Sequence, residues 1–263
     1  NYNFKMSQEG GYVSNLLSQY TTLAITPLWN NIACALLTVI YVKTMLDFTS
    51  FMREKIGCAD ITRKFIHVGA GCWILFWPLF DVNHWSWRLN ILVPTVMSIK
   101  LFFKGAILKD PDDADVRTMS RGGSPAELLY GPLQFTLFMM WVGTQKFMTV
   151  EGAILVAGLG VGDGVAPLVG KYYGRLKYRF PLGGQKSMEG SFFGVFLGTA
   201  GGTMFFIKML ALPMLSHENV VKIAAIATIV EATSPEGFDN VVIPSLLHFC
   251  LEYQPSLLSS STG

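Results

Sequence analysis

The chain has 263 residues, of which 51% are hydrophobic and only 14% charged, with a net charge of +2 and a mean hydropathy of +0.41. A soluble domain carries roughly 25% charged residues, so this composition points to a membrane protein. The small net charge gives no support to nucleic-acid binding, and the length leaves no room for a separate soluble catalytic domain of ordinary size. The four cysteines, Cys34, Cys58, Cys72 and Cys250, show neither the spacing of a zinc site nor a disulfide framework.

In chain order, residues 1–24 are mixed and polar, 25–253 form one multi-span membrane domain, and 254–263 are a Ser-rich tail. The chain begins with Asn1 rather than Met, so a targeting segment removed by processing would not show in it. About 20 apolar residues cross a bilayer as a helix. That criterion predicts an all-α polytopic protein with spans near 26–46, 65–80, 86–103, 127–148, 151–170, 190–214, 219–235 and 240–253. The second and last are short, so the expected count is seven or eight. Trp73, Trp77, Trp85, Trp87 and Trp141 fall mostly near span ends, as an interfacial belt would place them.

Lys and Arg alternate in density between connections. Arg53, Lys55, Arg63 and Lys64 follow the first span; Lys100, Lys104, Lys109, Arg117 and Arg121 flank the third connection; Lys171, Arg175, Lys177, Arg179 and Lys186 fill the fifth. The even connections carry few: Arg88 in the second, Lys146 in the fourth, Lys208 and Lys222 around the sixth. The positive-inside rule therefore puts the odd connections on the cytoplasmic or stromal side. Arg63, Lys64, His67, Glu127, Asp163, Glu231, Glu236, Asp239 and Asn240 all fall toward that same side.

Asp163 is the most informative single residue. It lies in GAILVAGLGVGDGVAPLVG, residues 152–170, a stretch long and apolar enough to be dissolved in lipid. An acid at membrane depth costs about 2.5–3.5 kcal/mol or more and by default marks function. The bland alternative is a salt bridge to another helix. Gly158, Gly160, Gly162 and Gly164 let backbone or ligand approach closely, or simply let helices pack, since Gly160/Gly164 and Gly194/Gly198 have that spacing. Beyond Asp163, Gly170 and Gly174 would present backbone N–H groups to phosphate oxygens. Lys186 would neutralise a transferring phosphoryl group, with Ser187, Glu189 and Gly190 at the positive end of the next helix. This is not a Walker loop, because Gly184-Gln185-Lys186-Ser187 breaks the Gly-Lys adjacency.

The stretch EATSPEGFDN, residues 231–240, holds three carboxylates and an amide without a Lys or Arg. Such oxygen ligands suit Mg²⁺, which binds through one or two carboxylates plus substrate phosphates. Glu236 reads as a solvated turn residue, Asp239 does not. His67, in RKFIH, is either a hydrogen-bonded structural residue or part of a site at the basic face. The acids at 110, 112, 113 and 115 read as a solvated loop.

These motifs carry a resemblance. The segment from Asp163 to Ser191 is similar to the CTP-using polyprenol kinase family, which groups dolichol, phytol and farnesol kinases. RKFIHVGAG, the WPLF of 77–80, SPAELLYGPL of 124–133 and Asp239-Asn240 with Pro244 resemble the plant-type phytol and farnesol kinases most. The similarity spans most of 63–253. The long C-terminal signature of the related phosphatidate cytidylyltransferases is missing. One departure is Phe238, where such sequences show a second acid before Asp239, so a two-aspartate metal scheme is not implied there. The resemblance implies a membrane kinase with CTP as donor, Mg²⁺ as metal and phytol or farnesol as acceptor, in a plastid membrane or, alternatively, the endoplasmic reticulum. Asp163, Lys186, Asp239 and His67 are then the expected catalytic residues. Arg63, Lys64, Gly170, Lys171, Gly174, Ser187, Glu189 and Gly190 are expected at the nucleotide, and Asp163, Glu231, Asp239 and Asn240 at the metal. Rival readings are a dolichol kinase, a CTP-dependent diacylglycerol kinase or, outside enzymes, a transporter with Asp163 as coupling acid. No inverted repeat supports the transporter.

Overall fold

A computed structural model describes residues 26–259 apart from Leu182 and Glu236. The polar segment 1–24, the end of the Ser-rich tail and the solvated-turn reading of Glu236 lie outside the described residues.

Every predicted apolar segment is helical, and helix α1 runs ten residues past its expected end. The first two are α1 (Pro27–Ile56) and α2 (Ala59–Gly71), the latter continuing as a 3₁₀ turn over Cys72–Leu79. Gly57 separates them at φ 70, a left-handed cap that favours glycine. Helix α3 (Trp85–Leu108) starts as 3₁₀ and ends in a π turn over Phe103–Leu108. Two short helices follow, α4 (Ala114–Met119) and α5 (Glu127–Tyr130), then α6 (Pro132–Gln145). Helix α7 (Val150–Tyr172) opens with Thr149, whose hydroxyl accepts the Gly152 N–H at 3.0 Å. Helices α8 (Gly190–Met209), α9 (His217–Thr233) and α10 (Asp239–Tyr253) complete the bundle.

Four helices, α1, α3, α7 and α8, are long and apolar enough to cross a membrane. The rest are shorter or interrupted, so seven or eight spans is not what length and composition alone return. The fold is also not purely helical. Strands β1 (Lys177–Arg179) and β2 (Gln185–Ser187) form an antiparallel hairpin pairing Tyr178 with Lys186. Lys186 thus sits on a strand, while Ser187 ends that strand and leads directly into the next helix.

Helix α7 is the hub, 72% buried over its apolar window against 28–44% for the other three. Its glycines serve packing. A Cβ on Gly194 of α8 would come 2.3 Å from Ala166 Cα, and one on Gly71 would come 3.2 Å from Gly160 Cα. Backbone therefore meets backbone on two sides of α7. Trp73 and Trp77 are fully buried in this core with Ile154, Leu159, Phe206 and Leu247. That corrects the belt assignment for both: the indole of Trp73 donates to Asn90 O at 3.0 Å, so it has no need of an interfacial position. Trp85 remains exposed.

The two ends of the bundle are distinct. At one, Lys171 pairs with Asp60 at 2.7 Å, Arg53 donates to Arg117 O at 3.2 Å, and Gly183 bridges to Pro235. This gathers the basic connections together. At the other, Asn31 donates to Asp81 O, Lys146 pairs with Glu151, and Asn219 donates to Ser256 O, tying the tail back through buried Leu257.

Candidate active site

A cavity of about 680 Å³ opens at the basic end, walled by α1, α2, α3, α6, α7, β2 and the starts of α8 and α10. Twelve of the residues singled out from sequence line it: Arg63, Lys64 and His67 from α2; Asp163, Gly170 and Lys171 from α7; Lys186 and Ser187 from β2; Gly190 from α8; Glu231 from α9; Asp239 and Asn240 from α10. Gly174 and Glu189 do not line it.

Asp163 is 4% exposed and ends a π-helical stretch, Ala157–Asp163. Such bulges turn a side chain out of the regular helical register and recur at functional sites. Its Oδ2 takes a hydrogen bond from Lys64 Nζ at 2.9 Å, and the same ammonium donates to the Asp163 carbonyl at 3.1 Å. His67 Nε2 lies 3.4 Å from Oδ2 and 2.9 Å from Leu159 O. A carbonyl only accepts, so Nε2 carries the ring proton. Asp163 is therefore salt-bridged to another helix and also faces the cavity; the two readings of it are not exclusive.

Lys186 donates to Glu231 Oε1 at 2.6 Å and also to the Glu231 carbonyl. Strand β2 is thereby held against the end of α9. Glu231 Oε2, Asp239 Oδ1 and Asn240 Oδ1 are buried without a hydrogen-bond partner, although Asn240 Nδ2 donates to Gly131 O at 3.0 Å. Unsatisfied buried oxygens are costly and usually mark an absent water, ion or ligand. Three on one wall, all hard oxygen donors, fit Mg²⁺. Among the described residues, the one trio of His, Cys, Asp or Glu ligand atoms within 4.8 Å is Glu151, His248 and Glu252, at the other end, so Glu231 and Asp239 are not joined by a third such residue. A cation here would need substrate oxygens to complete its shell, which is how Mg²⁺ is held in phosphoryl-transfer sites.

Ser187 Oγ accepts the Gly190 N–H at 3.1 Å, capping α8, and Lys177 Nζ donates to Gly170 O at 2.8 Å. Gly170 lies within α7, where a Cβ would come 3.0 Å from Ser187 Oγ. Gly174 packs still closer, its Cβ position lying 2.6 Å from the same oxygen. Glu189 is half-buried and accepts the Leu176 N–H at 3.2 Å. The N–H groups of Glu189 itself, Arg175 and Leu176 hold its carboxylate below the usual range. It braces the hairpin from outside.

Sequence reasoning did not pair Lys64 with Asp163 or Lys186 with Glu231. It also left Glu127 without a role. That carboxylate accepts N–H groups of Arg121 at 2.6 Å and Gly122 at 2.9 Å, folding the 121–124 loop over the cavity mouth. Away from these polar groups the cavity turns apolar, with Met45, Met97, Met119 and Met139 in its wall.

No family model matches the chain, and no solved structure does. Curated proteins do. The chain is 27% identical over 207 residues to a probable chloroplastic phytol kinase 1 of Glycine max, covering 75% of this chain and 68% of that protein. To a probable chloroplastic phytol kinase of Zea mays it is 31% identical over 197 residues, covering 70% and 63%. To the chloroplastic farnesol kinase of Arabidopsis thaliana it is 31% identical over 143 residues, covering 54% and 45%. The chain thus spans from just under half to about two thirds of the length of these relatives. A buried acid in a glycine-rich helix and two lysines holding carboxylates over one cavity stand beside these likenesses: over half to three quarters of its length the chain is similar to chloroplastic phytol and farnesol kinases.

Proposed function

We propose that this protein is an integral membrane kinase that transfers a phosphoryl group from a nucleoside triphosphate to the hydroxyl of an isoprenoid alcohol. The observation that carries the reading is one cavity with two characters: carboxylates and ammonium groups at the basic end, methionine and aliphatic side chains beyond them. A prenol is a molecule of that same polarity. By family resemblance the donor is CTP, the metal Mg²⁺ and the acceptor phytol or farnesol. All eight apolar helical segments are taken to sit in the bilayer, the interrupted ones shielded by α7. A plastid membrane is the proposed location, since the relatives named are chloroplastic.

Phosphoryl transfer needs positioning and charge neutralisation more than covalent help. Glu231, Asp239 and Asn240 would hold Mg²⁺, which when bound neutralises charge on the phosphates. Lys186, fixed by Glu231, points a second positive charge at the same wall. Ser187 and Gly190 place the positive end of α8 beside it. Asp163, oriented by Lys64 and His67, is the group positioned to accept the alcohol proton. Lys171 and Arg63 surround the entrance and would attract the polyanion.

The test is a panel of labelled CTP, ATP, GTP and UTP against phytol, farnesol, dolichol and diacylglycerol, using purified protein. Transfer to a prenol is the expected result; transfer to diacylglycerol alone would replace the proposal. Sidedness is tested by impermeant thiol labelling of single-cysteine variants in sealed vesicles. Cys58 and position 177 should label from one side and position 146 from the other. Labelling of 146 and 177 from the same side would break the arrangement.

A further inference from the structure

Two apolar spaces adjoin the polar chamber. One is the inner part of the cavity itself, between α1, α2, α3 and α6. The other is a groove of about 500 Å³ between α6 and α10, lined by Leu137, Trp141, Val241 and Pro244 and meeting the chamber at Asn240. Resting on the prenol kinase reading, we propose that the first space is the acceptor-tail subsite, and that Ala70, with Val42, Val93 and Met139, forms the floor that limits which chain is accepted.

Along α2 the lining residues are Arg63, Lys64, Ile66, His67 and Ala70, a single stripe that passes from cation to small apolar side chain. From Arg63 to Ala70 is about 10 Å of helix rise. The innermost lining residues of the neighbouring helices pack together: Val42 and Val93 share a cluster against which Ala70 packs, and Ala70 also packs against the core that holds Met139. Counting inward from the basic end, the last lining residue is Met139 on α6, Val93 on α3 and Val42 on α1. Residues from four helices therefore close the inner end of the space. His67 and Asp163 sit at its upper edge, so an alcohol whose hydroxyl meets Asp163 would lay its first isoprene units against Ile66, Met97 and Phe135. The flexible Met45, Met97 and Met139 suit a branched, irregular chain better than stiff side chains would. The groove between α6 and α10 lacks this alignment, since it touches the chamber only through Asn240 and ends at His248.

The cavity volume falls within the range that encloses a single small ligand. It matches an acceptor of a few isoprene units, with any longer chain leaving sideways into lipid.

The experiment compares geraniol, farnesol and phytol as acceptors for parent, Ala70→Phe and Met139→Ala proteins, with nucleotide KM measured alongside. Filling the floor should lower kcat/KM for phytol relative to geraniol by at least about tenfold, the scale at which apolar pockets discriminate size. Met139→Ala should shift preference the opposite way, which guards against an Ala70→Phe protein that simply fails to fold. Nucleotide KM should stay within about twofold. An unchanged acceptor profile in both variants overturns the subsite, and more so if Leu137→Trp in the groove alters it. Inactivity of the parent toward all three alcohols would instead sink the kinase reading itself.

Discussion

The two ends of this bundle both bury charge, and they do so differently. At the end away from the basic connections, Lys146 pairs with Glu151 at 2.7 Å and Glu252 at 3.4 Å, while His248 contacts both carboxylates and stacks edge-on against Trp141. Glu151 leaves no buried oxygen without a partner. At the basic end, Asp163 and Lys186 are equally well paired, but Glu231, Asp239 and Asn240 each keep an unsatisfied buried oxygen facing a cavity. Buried charge alone therefore does not locate the chemistry. The proposed site rests on charge together with unfilled valence and room for a ligand, which the basic end combines. The Glu151, His248 and Glu252 trio has converging ligand atoms, yet Lys146 already supplies its positive charge.

The sharpest way to break this comparison is to neutralise one acid at each end. Asp163→Asn should abolish phosphoryl transfer, by on the order of 10³-fold or more given the acid–base and charge roles combined. The amide keeps the volume and an acceptor for Lys64, so the protein should still insert and fold. Glu151→Gln should do the reverse, lowering thermal stability in detergent by about 1–3 kcal/mol through weakened pairing with Lys146 and His248, with activity per folded molecule retained. If both acids affect activity alike, the distinction between the ends is wrong.

Next in size is Lys186→Met, expected to slow transfer by on the order of 10²–10³, as removal of one charge-stabilising group does. The prenol KM should change little. Lys171→Met should cost far less, because Lys171 is half exposed at the rim and paired to Asp60. Steady-state kinetics at varied nucleotide and saturating alcohol separate the two. Equal tolerance at both positions would place the nucleotide elsewhere.

The smallest effect is expected at Asp60. Its hydrogen bond to Lys171 holds the Asp60 carboxyl below the usual range. A carboxylate with a lowered folded pKa contributes stability above its unfolded pKa and loses it as pH falls through the folded value. Between pH 5 and 8 its contribution should thus be flat, and for an exposed pair no more than about 1 kcal/mol. Asp60→Asn unfolding curves across that range should run parallel to the parent. A gap that widens with pH there would mean Asp60 has some other partner.

Much of this was legible in the sequence because lipid imposes a simple code. Apolar runs gave all eight helical segments, Lys and Arg density sorted the connections, and a carboxylate inside such a run singled out Asp163. Pairings between distant residues were not legible. Lys64 and Asp163 lie 99 residues apart, and Lys186 and Glu231 lie 45 apart. No periodicity encodes which helices meet. The hairpin was missed because three-residue strands are too short to show alternation. Trp73 and Trp77 were misplaced because their distance from a span end says nothing about a 3₁₀ turn that carries them into the core. The helix-packing spacing of the glycines was legible: at Gly160 and Gly194 the neighbouring backbone fills the space a side chain would need.

The central claim is most directly tested by incubating the purified parent protein with CTP and phytol or farnesol, with and without Mg²⁺, and identifying products by mass spectrometry. The account predicts a prenyl monophosphate formed in proportion to nucleotide consumed, dependent on both the alcohol and the divalent cation. Nucleotide hydrolysis that ignores the alcohol, or no prenyl phosphate under any of these conditions, would contradict it.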